Sequence, residues 1–272
     1  MIINGKKISQ EIIAELKQTP APKKFLAVFL VGDDSASASF VEQKEKTARE
    51  LGVDLRMYRY PADISQDKLR REVGKVTAHK TCGGAIVQLP LPKHLNRHYV
   101  LNAIPREKDV DVLGERALGA FYTGRNPIMP PPVATVETII RLTNLELKNL
   151  KTAVVGLGFL IGKPIAEWLK GKTKELYCLD EKSDLTILKE ADLVISGTGH
   201  AGLIRPDMLK QGAGVIDFGY AKGPGGVLLG DFDSSKLTNV QTNRLAFYTP
   251  TPGGTGPIVV ALLFRNFYTL NR

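Results

Sequence analysis

The chain has 272 residues, and its 37 lysines and arginines against 28 aspartates and glutamates give a formal net charge of +9. This length suits two α/β domains that each bury a core. The basic residues alternate with acidic ones, which argues against nucleic acid and favours a small anionic ligand or a phosphorylated cofactor. Two cysteines cannot build a disulfide framework or a four-ligand metal site, and no run approaches the ~20 apolar residues that span a bilayer. We expect a cytoplasmic protein with free, buried thiols, no metal and no membrane partner.

Helical and strand patterns alternate along the first hundred residues. Apolar residues at helical spacing predict a helix over 8–17, and the continuous apolar run FLAVFLV is typical of a buried parallel strand. The elements predicted after it are a helix over 36–51, a strand over 54–60, a helix from about Ser65 to His79 and a strand within GAIVQLPLP (84–92). This order indicates an α/β fold.

Residues 102–133 have little periodicity and many turn residues, which predicts an irregular connection that lines a cleft between two domains. A helix is predicted again from residue 134. Further short apolar strands are predicted in TAVV, ELYCL, ADLVIS and GAGVID, and an apolar helix closes the chain in GPIVVALLFRNFYTL.

A glycine-rich turn follows the TAVV strand directly and precedes a helix. It carries Gly156, Gly158 and Gly162 in a G-x-G-x-x-x-G spacing. Glycines let a pyrophosphate approach the helix N-terminus, where free N–H groups favour anions. Asp180 ends the next strand, where a carboxylate can accept hydrogen bonds from a ribose and would repel a 2′-phosphate. The pattern predicts a dinucleotide site that favours NAD over NADP, with a tight turn that binds no ligand as the alternative.

Five segments, read in order, resemble the bifunctional methylenetetrahydrofolate dehydrogenase/methenyltetrahydrofolate cyclohydrolase family. They are VGDDSASASFVEQKEKTARELG, GAIVQLPLP, IPREKDVDVL, VVGLGFLIGKP and TPTPGGTGPIVVALL. The resemblance covers nearly the whole chain. It implies an N-terminal α/β catalytic domain (1–131, completed by a C-terminal helix over 256–272), a Rossmann-like NAD(P)-binding domain (132–255), an active-site cleft between them and a homodimer.

The resemblance also implies the reactions and the site residues. The family oxidises 5,10-methylenetetrahydrofolate by hydride transfer to a nicotinamide dinucleotide, NAD or NADP, and hydrolyses the methenyl product to 10-formyltetrahydrofolate. Lys44 matches the catalytic lysine, Gln88 the residue that hydrogen-bonds it, and Asp111 the carboxylate that binds the pterin. The implied substrate-binding residues are Phe40, Leu89, Pro90, Pro252, Gly253 and Gly254. The implied cofactor-binding residues are Gly156, Leu157, Gly158, Ile161, Asp180, Thr198, Gly199 and Tyr220.

The chain departs from the family pattern at several positions. Phe40 stands where the family has a tyrosine, and Val112 stands where a glycine follows KDVD. Leu157 and Gly158 replace the arginine and serine that hold the NADP 2′-phosphate, and the acid at Asp180 replaces a histidine-serine-basic stretch. Val259 replaces a threonine.

Other interpretations remain open at this point. A lysine on a helix is usually solvated, Gln88 could satisfy backbone groups only, and Asp109 is expected to cap a turn. The alternative function is a cyclohydrolase that has lost hydride transfer through a drifted cofactor site, and a non-catalytic ligand sensor is a third hypothesis. A short-chain dehydrogenase is excluded by position, because its catalytic lysine follows the glycine turn whereas Lys44 precedes it.

Overall fold

The computed structural model describes residues 1–32, 35–237 and 245–272. The chain divides into two compact units. The N-terminal unit contains residues 9–131 and 260–272, and the Rossmann-like unit contains residues 1–8 and 132–259. The chain passes between the two units at three points: within α1 (Gly5–Lys17), after the first residue of α6 (Pro131–Leu142) and within α8 (Thr255–Leu270).

The N-terminal unit is built on a parallel three-stranded sheet in the order β2-β1-β3. Its strands are β1 (Phe25–Val31), β2 (Leu55–Tyr60) and β3 (Cys82–Val87). The helices that connect them are α2 (Ser35–Leu51) and α3 (Gln66–Ala78). All seven residues of β1 are buried, as expected for a central parallel strand whose two faces are covered.

Two short helices follow in this unit, α4 (Arg97–Leu101) and α5 (Glu115–Tyr122). The prediction of an irregular segment over 102–133 was therefore wrong for α5. Only Ala117 of α5 is fully buried, and it packs against Val112 and Ile128. A helix of only two turns is shorter than the window of sequence over which an apolar pattern distinguishes a helix from a loop.

The Rossmann-like unit has a parallel five-stranded sheet in the order β10-β7-β6-β4-β5. Its strands are β4 (Lys151–Val155), β5 (Glu175–Leu179), β6 (Leu193–Ser196), β7 (Gly214–Asp217) and β10 (Phe247–Tyr248). It also contains α6 (Pro131–Leu142), α7 (Gly162–Leu169) and a small hairpin of β8 (Ala221–Lys222) and β9 (Leu228–Leu229). The two-domain α/β fold with a Rossmann-like domain is confirmed.

The division of the chain differs from the predicted domain boundaries at the N-terminus and in the C-terminal helix, where residues 256–259 belong to the Rossmann-like unit. Residues 1–8 belong to the Rossmann-like unit because Ile2 bridges Tyr248 of β10 and the Ile3 N–H donates to the Tyr248 carbonyl at 2.9 Å. The expectation of two buried thiols was wrong for Cys178, which is exposed, whereas Cys82 is buried. Both thiols are free.

The described residues lack a membrane-spanning helix and a cluster of metal-ligating side chains. None of their helices is long and apolar enough to cross a membrane. They also contain no group of three or more histidine, cysteine, aspartate or glutamate side chains that could hold a metal ion.

Candidate functional site

Lys44 lies on the buried face of α2. Val41, Ala48 and Leu51, at the helical spacings i−3, i+4 and i+7 from it, are 4%, 2% and 6% exposed, and Lys44 itself is only 8% exposed. A lysine in this position is withdrawn from water. Burial therefore lowers the pKa of Lys44, and the negative charge of Asp111 opposes this shift.

Gln88 holds the Lys44 amine by a hydrogen bond. The Lys44 Nζ donates to Gln88 Oε1 at 2.9 Å, and Gln88 Nε2 donates to the Leu89 carbonyl at 2.8 Å. A lysine amine in its charged form can only donate, so these two bonds fix which end of the Gln88 amide faces Lys44. The Gln88 N–H continues the β3 ladder by donating to the Phe29 carbonyl of β1 at 2.9 Å. Gln88 thus combines a backbone role with a side chain directed at Lys44.

The Asp109 to Asp111 segment is placed beside β3 by a parallel bridge between Ala85 and Asp109. As predicted, Asp109 caps a turn: its Oδ2 accepts hydrogen bonds from the Leu113 N–H at 3.0 Å and the Gly114 N–H at 2.7 Å. Burial raises the pKa of Asp109 to about 7, and the negative charge of Asp111 adds to this shift.

Asp111 is partly buried and interacts electrostatically with Lys44. Burial raises the pKa of Asp111, and the positive charge of Lys44 opposes that effect. On α8, Asn266 fixes the backbone next to it, because its Nδ2 donates to the Val110 carbonyl at 2.9 Å and to the Met129 carbonyl at 2.8 Å. Sequence reasoning missed Asn266, since nothing in an apolar helix indicates which distant carbonyls an amide will bind.

Val112 follows Asp111 with a φ of 57°, in the left-handed region. A β-branched residue is strained there. Its side chain is fully buried in a cluster with Ala117 and Ile128, against which Phe121 and Leu270 pack. The departure from glycine noted in the sequence therefore places a strained backbone directly beside Asp111.

The other predicted substrate residues fall into two groups. Phe40 is partly buried on α2, four residues before Lys44, and the partly buried Leu89 precedes an exposed Pro90 through a cis peptide bond. Pro252, Gly253 and Gly254 lie in the Rossmann-like unit, where Gly253 has a φ of 96° and Gly254 is buried. Lys44, Gln88, Asp111 and the first group share the N-terminal unit.

The predicted cofactor residues gather at one edge of the five-stranded sheet. Because the strands are parallel, the loops after β4, β5, β6 and β7 leave from the same edge. These loops carry Gly156, Leu157, Gly158 and Ile161 after β4, Asp180 after β5, Thr198 and Gly199 after β6, and Tyr220 after β7. The strand order reverses between β4 and β6, the place where open α/β sheets bind ligands.

The glycine turn has the geometry of a phosphate-binding loop. Gly156 has a φ of 85°, and a Cβ there would approach Thr198 Cγ2 to 2.7 Å. A Cβ on Gly162, at the start of α7, would collide with the Gly156 carbonyl oxygen. A Cβ on Gly158 would meet only the Gly197 carbonyl oxygen, at 4.0 Å, so the turn is open at this residue. Two glycines are therefore required by packing, and the one between them leaves room for a pyrophosphate near the α7 N-terminus.

Asp180 is exposed at the end of β5. It lies beside the glycine turn, since the Gly156 N–H donates to the carbonyl of the preceding residue, Leu179, at 2.8 Å. Its Oδ1 accepts hydrogen bonds from the Ser183 hydroxyl at 2.9 Å and the Lys182 N–H at 3.0 Å. These two bonds, the hydroxyl first, lower the pKa of Asp180. Asp180 is therefore an ionised carboxylate at neutral pH.

Two further acids, Asp217 and Asp231, are buried behind the cofactor residues. Asp231 Oδ2 accepts from the Ser196 hydroxyl and from the Thr198 N–H, both at 2.6 Å. Asp217 accepts from the Gly219 N–H at 2.6 Å and from the Phe232 N–H at 2.9 Å. Burial raises the pKa of Asp217 to about 7, and the negative charge of Asp231 contributes. Sequence reasoning missed both acids, because their partners lie in other segments of the chain.

Two family models match the chain. Residues 3–111 match the tetrahydrofolate dehydrogenase/cyclohydrolase catalytic domain, and residues 130–272 match the tetrahydrofolate dehydrogenase/cyclohydrolase NAD(P)-binding domain. The chain is similar to the bifunctional protein FolD of Geobacillus thermodenitrificans, with 34% identity over 97% of this chain and 95% of that protein.

Solved structures of the same kind match over nearly the full length. A FolD structure from Campylobacter jejuni superimposes with a TM-score of 0.92 at 29% identity, covering 99% of this chain and 98% of that one. A FolD structure from Trypanosoma brucei, complexed with NADP and an inhibitor, superimposes with a TM-score of 0.90 at 30% identity, covering 99% and 96%. The chain therefore belongs to the tetrahydrofolate dehydrogenase/cyclohydrolase family of enzymes and contains both its catalytic and its NAD(P)-binding domain.

Proposed function

We propose that this chain oxidises 5,10-methylenetetrahydrofolate to 5,10-methenyltetrahydrofolate with a nicotinamide dinucleotide, and hydrolyses that product to 10-formyltetrahydrofolate. The observation that carries the proposal is the buried Lys44 amine, bonded to Gln88 Oε1 at 2.9 Å and coupled electrostatically to Asp111. A buried lysine with a lowered pKa is an uncommon arrangement outside functional sites. The family to which the chain belongs supplies the reactions.

Lys44 acts on protons in the hydrolytic half of the reaction. Its lowered pKa makes the neutral amine accessible, and a neutral amine can accept a proton from water as the water oxygen bonds to the methenyl carbon. The ammonium so formed can return the proton to the folate nitrogen whose bond to that carbon breaks, while the remaining hydroxyl proton leaves to solvent and the oxygen becomes the formyl carbonyl. The Gln88 oxygen keeps the amine aligned through both transfers.

Asp111 orients the substrate. Its carboxylate can accept hydrogen bonds from the pterin amino and ring N–H groups, a pairing that is stronger when the acceptor is charged. Phe40 offers a ring for stacking but no hydroxyl. We assign Leu89, Pro90, Pro252, Gly253 and Gly254 to the loops that contact the folate.

The dinucleotide binds at the β4–β6 edge of the five-stranded sheet, with its pyrophosphate at the turn that contains Gly158. When bound, it accepts the hydride that leaves the methylene carbon. We assign Gly156, Leu157, Ile161, Thr198, Gly199 and Tyr220 to contacts with it. The open turn at Gly158 supports this assignment and gives no support to the cyclohydrolase-only alternative.

We further propose that NAD is preferred to NADP. The ionised Asp180 carboxylate at the end of β5 supports this preference, since it can accept bonds from ribose hydroxyls and repels a 2′-phosphate. Lys163 and Lys182 are exposed near it and offset part of that repulsion.

The proposal includes a homodimer in the cytoplasm. The family resemblance supports the dimer, and the free thiols of Cys82 and Cys178 suit a reducing compartment.

The test is a product assay with the purified chain. 5,10-Methylenetetrahydrofolate is supplied with NAD and NADP in parallel, and reduced dinucleotide and 10-formyltetrahydrofolate are both measured. We expect both products, formed with the higher kcat/KM for NAD. Hydrolysis of supplied methenyltetrahydrofolate without any reduced dinucleotide would establish the cyclohydrolase-only alternative, and preferential use of NADP would refute the role given to Asp180.

A further inference from the structure

Asp231 has no assigned role, yet it is a fully buried acid next to the loop after β6, the cofactor loop, which carries Thr198 and Gly199. It is 0% exposed. Its Oδ2 accepts two hydrogen bonds, while Oδ1 is buried and has no hydrogen-bond partner in the described part of the chain. A carboxylate kept in such surroundings costs free energy. The cost indicates that the two hydrogen bonds accepted by this side chain have a role.

The two groups that Asp231 binds belong to the end of β6 and the loop after it. Ser196 is the last residue of β6, and Thr198 is the first of the two residues to which we assign dinucleotide contacts in this loop. The bond from the Thr198 N–H is 2.6 Å long, which is short for an N–H donor, and a charged acceptor favours short bonds. It fixes the direction of the peptide between Gly197 and Thr198. That peptide lies against the glycine turn, where a Cβ on Gly156 would touch it.

Asp231 is itself held from two sides. The Ile204 N–H donates to the Asp231 carbonyl at 2.9 Å, and the Gly202 N–H donates to the Gly230 carbonyl at 3.0 Å. Asp217, at the end of β7, accepts from the Phe232 N–H at 2.9 Å. The backbone of Asp231 is therefore fixed by these bonds, and its side chain attaches the loop after β6 to this fixed segment.

We propose that Asp231 is a positioning residue for the dinucleotide: its carboxylate holds the Thr198 amide and the Ser196 hydroxyl in the orientation that the cofactor loop needs for binding. This rests on the proposed function, specifically on the assignment of the loop after β6 to the dinucleotide. Asp231 acts through Thr198 and does not need to touch the ligand. Its loss should weaken dinucleotide binding while leaving the folate chemistry of Lys44 unchanged.

The experiment compares Asp231→Ala, Asp231→Asn and Asp233→Ala with the unaltered chain. Asparagine keeps one acceptor oxygen for Thr198 and Ser196, whereas alanine keeps none. Asp233 is the matched control, because it lies two residues further on and bonds locally to Ser235 and Lys236. The readouts are the KM for dinucleotide, the kcat of the dehydrogenase and the rate of hydrolysis of supplied methenyltetrahydrofolate.

We expect Asp231→Ala to raise the KM for dinucleotide by about ten- to a hundredfold, the range expected when hydrogen bonds to a charged group are lost. Asp231→Asn should restore the KM to within about threefold of the unaltered value, since an acceptor returns. Hydrolysis should be unchanged in both variants, and Asp233→Ala should behave as the unaltered chain. An equal loss of hydrolysis and of dehydrogenase activity, or an unchanged KM in Asp231→Ala, would overturn the proposal.

A second variant covers the case in which Asp231→Ala does not fold. Ser196→Ala removes one of the two donors, and we expect a rise in the KM for dinucleotide in the same direction, by about three- to tenfold. An unchanged KM in that variant contradicts the proposal. If the unaltered chain binds neither dinucleotide, the proposed function itself fails and this inference with it, so the two failures are distinguishable.

Discussion

The left-handed backbone at Val112 should have a measurable effect on the free energy of unfolding. Val112→Ala keeps the strained conformation and removes two buried methyl groups, which should cost about 1–3 kcal/mol of the free energy of unfolding. Relative to alanine, glycine at position 112 buries one carbon less, which lowers the free energy of unfolding by about 0.8 kcal/mol. It also makes the unfolded chain more flexible, which lowers the free energy of unfolding by a further ~0.4–1 kcal/mol. Glycine also relieves the left-handed strain, by about 1–2 kcal/mol. The gain and the losses nearly cancel, so the two variants should be about equally stable.

Val110 provides the matched control. It is also 0% exposed, lies two residues earlier in the same segment and does not have a positive φ. There, Val110→Gly should be less stable than Val110→Ala by about 1–2 kcal/mol, because glycine has no strain to relieve. At each position, the free energy of unfolding of the glycine variant minus that of the alanine variant gives one difference. The difference at Val112 minus the difference at Val110 therefore measures the strain at Val112.

Urea unfolding of the four variants measures these differences. We expect the difference between the two positions to be about 1–2 kcal/mol in favour of glycine at Val112. If glycine is worse than alanine by the same amount at both positions, Val112 stores no strain and the argument fails.

Three further predictions concern charge and anchoring. Asp180→Asn keeps an acceptor for the turn and removes the negative charge, so kcat/KM for NADP should rise relative to NAD by about tenfold, measured by parallel initial rates; an unchanged ratio would refute the specificity argument. Burial raises the pKa of Asp109 to about 7, so the folded state binds a proton that the unfolded state releases, and stability should fall as pH rises from about 4 to 7. Asp109→Asn should flatten that fall in urea titrations at several pH values, and an identical slope would contradict the shift. Asn266→Ala leaves the Val110 carbonyl without the Asn266 donor, which should lower the free energy of unfolding by about 1–3 kcal/mol and raise the KM for folate. If both quantities are unchanged, Asn266 does not fix the backbone beside Asp111.

Much of the fold could be predicted because its patterns are local. The apolar run of β1 and the helical spacing in α2 each lie within one window of sequence and specify one element. The glycine turn was also readable, since the strand, the glycines and the helix are contiguous. The short α5 was not predicted, because it is only two turns long and packs on Val112 and Ile128, which lie outside its own segment.

The site was predictable where a family motif names the residue and not where tertiary packing creates the contact. The hydrogen bond between Lys44 and Gln88 joins residues 44 positions apart, and the motifs identify both ends. Asp231 binds Ser196 across 35 positions and Asn266 binds Val110 across 156, with no motif at either end. Such pairs are set by the folded backbone, and only the structure brings them together.

The central claim is that the buried amine of Lys44 carries the proton transfer of the hydrolytic reaction. Lys44→Met removes the amine with little change in volume, and Lys46→Met makes the same change at an exposed position of α2. The measurement is the rate of hydrolysis of supplied methenyltetrahydrofolate by both variants. We expect Lys44→Met to lower the rate of hydrolysis by at least about a hundredfold, which is the lower end of the effects of general acid–base groups. Lys46→Met should retain the full rate. Hydrolysis at the unaltered rate by a folded Lys44→Met would contradict the account.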